Sequence, residues 1–149
     1  MKKEENPQSI PPAFVVKSMQ SIQAGIINFA NQLSPSFAQI LQIGAGMMGT
    51  QVLYAAAKLN LADRLKNGPK SSDDLAEETG SNPDALYRLL RALASIGVFR
   101  ESSERIFEMT STAEALRSDH PISVHPFALL VGDPLWRESW GDIMHSIKT

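Results

Sequence analysis

Cysteine is absent from the 149-residue sequence. Its absence excludes disulfide scaffolds, zinc sites with cysteine ligands and catalysis by a thiol. An excess of basic charge is absent as well, since the net charge is −2 and the isoelectric point is about 5.9. The sequence therefore lacks the overall positive charge that is typical of nucleic-acid-binding proteins. No apolar segment with a cleavage site follows the charged start, so we expect no secretory signal and a cytoplasmic location. The length allows a single domain with one core.

Charge is also nearly absent from one long segment, because the only charged residue between Asn6 and Ala57 is Lys17. Residues 1–12 contain three prolines and are expected to form a flexible leader. Beyond them, apolar residues recur every three or four positions, which predicts an amphipathic helix. Its apolar stripe consists of Val15, Met19, Ile22, Ile26, Phe29 and Leu33.

A second helix is predicted after Ser34 and Pro35, which interrupt the first pattern. It runs from Phe37 to Leu59 and is apolar on nearly every side, so most of its faces must be covered. Glutamine and asparagine side chains along both helices argue against membrane insertion, because each amide would need a partner in the hydrocarbon. We therefore expect protein to cover residues 13–60, from a second copy of the chain, a missing domain, or both.

Residues 61–117 fit the pattern of a winged-helix subdomain. Ser71 or Ser72 is placed to cap a short helix that ends at Gly80, and Pro83 begins a second helix that stops at Gly97. Alternating apolar and polar residues at 98–101 and 105–109 predict the two strands of a small wing. The predicted fold class is therefore mainly α, with helices at 13–60, a winged-helix subdomain and a two-stranded wing.

Residues 118–149 are predicted to form a helical connection. Asp133 and Pro134 indicate the start of a helix that continues through Ile147. Trp136 and Trp140 lie four residues apart and share one face of it. Such a pair packs in a core, at an interface or on the wall of a small-molecule pocket.

Gly44-Ala-Gly-Met-Met-Gly49 matches the glycine pattern of dinucleotide-binding loops, and Asp63 lies 19 residues after Gly44. The context argues against that function, because a helical pattern precedes the glycines and an alanine-rich helix is predicted from Val52 to Leu65. Small residues that allow two helices to approach closely are the preferred interpretation.

A DNA-binding regulator is the main alternative, with Arg88 and Arg91 on the exposed side of the second winged-helix helix. Residues 63–117 carry eight cations and ten acids, however, whereas phosphate contacts require a basic face. A free-standing dimerisation module stays open as well. The histidines His120, His125 and His145 lack metal-ligand spacing, and no catalytic triad or carboxylate pair stands out. We therefore assign no catalytic, cofactor-binding or metal-binding residue.

Several segments, in order, resemble the N-terminal dimerisation domain of the small-molecule S-adenosylmethionine-dependent O-methyltransferases of plants and bacteria. They are residues 49–65 (GTQVLYAAAKLNLADRL), 74–80 (DLAEETG), 84–93 (DALYRLLRAL), 97–99 (GVF), 110–116 (TSTAEAL) and 136–140 (WRESW). The resemblance covers most of residues 37–148. The leucine- and arginine-containing helix alone is shared with many winged-helix regulators, whereas the combination in this order is more specific.

The resemblance implies an intertwined homodimer through residues 13–60 and a small-molecule hydroxyl acceptor, aromatic or polyketide-like. It also implies a C-terminal domain that binds S-adenosylmethionine and carries a catalytic histidine. The sequence ends before the corresponding glycine-rich loop and histidine, and His145 does not match that histidine, so this chain alone is expected to be inactive. The candidate residues facing the acceptor are Phe127, Leu130, Trp136 and Trp140. Neither nucleic acid nor a membrane is expected as a partner.

Overall fold

The computed structural model describes residues 12–149, so the flexible leader predicted for residues 1–12 lies almost entirely outside the described residues. The chain divides into two compact units, one ending at Gly44 and one spanning Ala45–Thr149. In the described residues the elements are α1 (Ala13–Leu33), α2 (Ser36–Lys58), α3 (Leu61–Leu65), β1 (Lys70–Ser71), α4 (Ser72–Thr79), α5 (Pro83–Ser95), β2 (Phe99–Ser103), β3 (Ile106–Met109), α6 (Ser111–Glu114), α7 (His125–Gly132), α8 (Pro134–Gly141) and α9 (Ile143–Lys148).

The first unit contains α1 and the first residues of α2, which are separated at Ser34 and Pro35 as the sequence predicts. Proline cannot continue a helix. The turn is held by Gln39, whose side-chain amide donates hydrogen bonds to the carbonyl oxygens of Asn31 (2.7 Å) and Ser34 (3.2 Å). One of the uncharged polar residues of this segment therefore satisfies backbone carbonyls that the end of α1 leaves without a helical partner.

The second unit has a core of aliphatic and aromatic side chains contributed by the end of α2, by α3–α6, by the strands and by α7. Its largest fully buried apolar side chains are Phe99, Phe107, Leu61, Leu65, Leu75, Leu90 and Leu93. The winged-helix elements supply most of these residues, which explains why α4 and α5 are apolar on one face only. The structure confirms a mainly α fold with a small wing.

The helix caps predicted from the sequence are present. Ser71 caps α4, accepting a hydrogen bond from the Asp74 amide at 3.0 Å, and Gly80 ends that helix in the left-handed conformation at φ 64°. Asn82, which was not predicted as a cap, lies directly before the predicted start at Pro83 and caps α5 in the same way, through the amide of Ala85 at 3.0 Å. Caps form from neighbours in the chain, so sequence alone locates them.

The wing has three strands, so the prediction of two was incomplete. The sheet order is β1-β3-β2, all antiparallel, with Lys70 opposite Phe107 and Ser71 opposite Ile106. A strand of two residues is too short to show an alternating pattern, and only its pairing with β3 defines it. The two predicted strands are β2 and β3, and β2 extends to Ser103, beyond the predicted end at residue 101.

Two long helices predicted from apolar spacing are each divided. The helix predicted from Val52 to Leu65 is interrupted at Asn60, which has a left-handed backbone with φ 50°, a conformation that asparagine tolerates better than most residues. The helix predicted to begin at Pro134 is divided at Asp142 into α8 and α9. The break at Asn60 agrees with the predicted end of the second helix at Leu59. Apolar periodicity continues across Asp142, so periodicity alone did not reveal the second break.

Candidate functional site

A cleft of about 490 Å³ lies between the second half of α2 and helices α7 and α8. It is lined mainly by apolar groups, with a polar edge from a threonine, a glutamine and an arginine. The lining residues are Met47, Thr50, Gln51, Val131, Trp136, Arg137, Trp140 and Gly141.

Local interactions at the end of α7 and the start of α8 set the position of the two tryptophans. Asp133 caps α8 by accepting a hydrogen bond from the amide of Leu135 at 2.9 Å. Gly132, the last residue of α7, packs so closely on Tyr54 of α2 that a Cβ at this glycine would overlap the tyrosine side chain. These contacts place α8 beside α2 with Trp136 and Trp140 facing the cleft.

The predicted acceptor-facing residues divide into two groups. Trp136 and Trp140 line the cleft together, with ring centroids 6.4 Å apart and ring planes inclined at 54°. Phe127 and Leu130 lie on α7 with 59% and 49% of their surfaces exposed, and they are not among the lining residues. The role of all four in binding an acceptor stays a prediction.

Sequence reasoning missed six of the eight residues that line the cleft, above all Met47 and Gln51 of α2 and Arg137 of α8. Met47 belongs to the glycine-containing segment that sequence analysis treated only as a helix-packing motif. Arg137 directly follows Trp136 and lies three residues before Trp140. This spacing was the available signal that Arg137 lies near the tryptophans. Bringing residues 47–51 beside residues 131–141 is a long-range effect that local patterns do not encode.

The glycine motif lies within α2, so it forms no loop that could hold a nucleotide phosphate. This confirms its interpretation as helix. Apart from the nearby backbone of α2 itself, a Cβ built on Gly44, Gly46 or Gly49 would meet no atom of the described chain within 4 Å. The close helix approach expected there therefore does not occur among the described residues.

A smaller polar notch at the end of α3 is stabilised by its own charges. Asp63 accepts hydrogen bonds from the amide and the hydroxyl of Ser118, both at 3.1 Å, and Lys66 pairs with Asp119 at 3.3 Å. Desolvation opposes ionisation of Asp119, but hydrogen bonds from Arg117 and Lys66 leave the pKa of this carboxyl below its ordinary value. These groups are mutually satisfied, and the described residues hold no cluster of three or more potential metal ligands.

Several cations on the winged-helix face lie beside acids, whereas Arg88 donates, among the described residues, only to the backbone carbonyl of Asp84, at 3.3 Å. Arg105 bonds Asp73 at 2.6 Å and lies 3.9 Å from Asp84, and Arg91 lies 4.0 Å from Glu101. A DNA-reading surface needs these charges for phosphates. The geometry therefore gives no support to the DNA-binding alternative.

Helix α1 and the first half of α2 expose large apolar side chains instead of burying them. None of the residues of α1 is buried, and Ile22, Ile26 and Phe29 each expose 63–65% of their surface. On α2, Phe37, Ile40 and similar residues are exposed to the same degree. Patches of this extent mark interaction surfaces.

Helix α2 is long and apolar enough to cross a membrane, as judged by length and composition. Its most apolar 18-residue window has a mean hydropathy of 1.2, with 11% of that window buried. Core helices of soluble proteins satisfy the same test.

Comparison with known proteins identifies the fold. Residues 41–119 match the O-methyltransferase dimerisation domain. Over 115 residues, the chain is 42% identical to phenazine O-methyltransferase PhzM from Lysobacter antibioticus, covering 77% of this chain and 33% of that protein. Over 98 residues, it is 43% identical to 8-amino-8-demethylriboflavin N,N-dimethyltransferase from Streptomyces davaonensis, covering 66% of this chain and 28% of that protein.

Solved structures agree with these matches. The crystal structure of LaPhzM superposes with a TM-score of 0.74 at 41% identity, over 78% of this chain and 35% of that one. The dimethyltransferase RosA from Streptomyces davawensis gives a TM-score of 0.72 at 37% identity, with the same coverage.

The winged helix with its preceding helices defines a methyltransferase dimerisation domain. The chain belongs to the O-methyltransferase dimerisation domain family, as its resemblance in sequence indicated. It spans about a third of the length of the curated relatives it matches.

Proposed function

We propose that this chain forms a homodimer through residues 13–60 and shapes the acceptor pocket of an S-adenosylmethionine-dependent O-methyltransferase. The observation that carries the proposal is the apolar surface of α1 and the first half of α2, which a monomer would expose to water. Burying this surface against a second copy provides a large favourable free energy, and Lys17 is the one charged residue of α1 and the first half of α2 that could be desolvated.

The acceptor is the second part of the proposal. The apolar cleft with Trp136 and Trp140 suits a small aromatic or polyketide-like molecule with a hydroxyl group. Two relatives are named for phenazine and riboflavin-derived substrates, both flat and conjugated, which supports an aromatic class. The second name describes methylation at nitrogen, so acceptance of a hydroxyl rests on the family name and the first relative.

The methyl donor is S-adenosylmethionine, held outside residues 12–149. The described residues include no glycine-rich loop between a strand and a helix, the usual phosphate and nucleoside cradle of α/β folds. Within this proposal Phe127, Leu130, Trp136 and Trp140 shape the pocket and exclude water from it but move no proton. The proposed site of action is the cytoplasm.

Light scattering over a dilution series tests the dimer. We expect a mass of twice 16.3 kDa that persists on dilution to micromolar concentrations, because interfaces of this apolar character bind tightly. A well-behaved species of 16.3 kDa throughout the series would contradict the proposal.

A further inference from the structure

We propose that the cleft between α2, α7 and α8 binds a flat aromatic molecule that carries a carboxylate, and that Arg137 pairs with this anion. The inference rests on the proposed function and deepens it, since it specifies the chemical class of acceptor. It follows from the shape of the cleft, the orientation of its aromatic rings and the charge at its edge.

The size and lining of the cleft fit a small ring system. Its volume of about 490 Å³ lies within the range of small-molecule sites, roughly 300–1,000 Å³. Met47, Val131 and the two tryptophans provide apolar contacts, while Gly141 lines the cleft without a side chain. The tryptophan rings are inclined at 54° to each other, and aromatic rings pack favourably on neighbours in offset or edge-to-face arrangements.

The charge at the edge comes from Arg137 and has no acidic partner within the described residues. The one polar contact of its guanidinium there is with the side-chain oxygen of Gln51, at 3.5 Å. Asp133, one turn earlier on the same side of α8, is engaged by the amide of Leu135. Most other arginines of the second unit lie in ion pairs, as Arg64, Arg91, Arg100, Arg105 and Arg117 do.

An arginine prefers a carboxylate to a neutral acceptor because its planar N–H groups match the two carboxylate oxygens. In water such a pair contributes little. Trp136 and Trp140 are 41% and 60% exposed in the free chain, so a ligand that covers them would remove water beside Arg137 and strengthen the pair. The tryptophans and Arg137 therefore act together: the rings desolvate the ligand, and the guanidinium selects an anion at one end of it.

Intrinsic fluorescence reports directly on this cleft, because Trp136 and Trp140 are the two tryptophans of the sequence. The probes are 4-hydroxybenzoate and its neutral counterpart 4-hydroxybenzamide, which share ring, hydroxyl and size. Cyclohexanecarboxylate serves as an anion without an aromatic ring. We expect saturable quenching by the benzoate, with affinity at least tenfold higher than that of the amide, and weaker binding of cyclohexanecarboxylate.

Substitution assigns the preference to one side chain. Arg137→Gln is expected to reduce the benzoate-to-amide affinity ratio at least fivefold while leaving amide binding unchanged. Arg88→Gln, which removes an exposed arginine of α5 outside the cleft, is the matched control and should keep the wild-type ratio. Circular dichroism of each variant checks that its helices are intact.

Two outcomes would overturn the inference: equal affinities of benzoate and amide for the wild-type chain, or a ratio that Arg137→Gln leaves unchanged. Failure of either kind is distinguishable from failure of the proposed dimer, which light scattering measures without any ligand. A dimer with no carboxylate preference would leave the proposed dimerisation standing and remove the anionic acceptor.

Discussion

At the scale of single residues, the second unit is stabilised by ion pairs at its surface. Glu78 of α4 accepts hydrogen bonds from Lys70 and, at 3.1 Å, from Arg64. These bonds, that of Lys70 first, hold the pKa of the Glu78 carboxyl below its ordinary value of 4.5. The pairing links α4 to β1 and α3.

This pairing predicts a pH-dependent stability. A carboxyl whose pKa is lower in the folded than in the unfolded chain stabilises the fold above the unfolded pKa, and the contribution is lost as the pH falls through the folded pKa. Glu78→Gln is therefore expected to lower the thermal midpoint at pH 7. Near pH 3 the thermal midpoint of this variant should approach that of the wild type. Thermal unfolding followed by circular dichroism across this pH range measures the gap.

The control for this prediction is Glu77→Gln, because Glu77 is the exposed neighbour on the same helix and forms no ion pair with the described residues. It should match the wild type at every pH. If the difference in thermal midpoint between Glu78→Gln and the wild type stays constant from pH 7 to pH 3, ionisation of Glu78 is not its cause.

At the scale of elements, the contact between α7 and α2 positions the cleft. Gly132 ends α7 where no side chain fits against Tyr54. Gly141 ends α8 in the same position of its helix, but a Cβ there would meet nothing within 4 Å. Two glycines at equivalent helix positions thus differ only in what surrounds them.

Gly132→Ala is expected to destabilise the chain by about 1–3 kcal/mol, the usual cost of overpacking. It should also widen the cleft, because α7 must move away from Tyr54 and α8 follows directly after Asp133. Gly141→Ala should be neutral or slightly stabilising, since alanine favours a helix over glycine. Urea denaturation of the two variants measures the difference, and equal stabilities would contradict the proposed tight contact.

At the scale of the whole molecule, the described chain has a well-packed second unit and a first unit whose apolar side chains lie on its surface. The two long helices, α1 and α2, differ in whether they bury residues within this chain. The end of α2 is buried in the core of the second unit at Ala56 and Ala57, whereas α1 has no buried residue. The proposed dimer provides the burial that the first unit lacks.

The dimer proposal makes a site-specific prediction. Ile26→Glu places a charge on the apolar stripe of α1, and burying it would cost several kcal/mol, so we expect dissociation at concentrations where the wild type is dimeric. Gln20→Glu adds the same charge on the opposite side of the helix and should leave the mass unchanged. Light scattering compares the two, and a stable Ile26→Glu dimer would exclude the α1 stripe from the interface.

The sequence alone determined the elements whose causes are local. Ser71 caps α4 through a neighbour three residues away, and Pro35 separates α1 from α2. The order of the winged-helix elements follows from short-range periodicity. The resemblance in sequence also identified the family, because its motifs lie in one contiguous part of the chain.

Only the tertiary structure decided the features that depend on distant residues. The strand β1 exists because β3 offers it an edge to pair with. The end of α2 is stabilised by His125, whose ring nitrogen lies 3.1 Å from both the Ala57 carbonyl and the Asn60 side chain. The cleft joins residues 47–51 to residues 131–141. Each depends on packing between segments far apart in the chain, and such packing leaves no periodic signal in either segment alone.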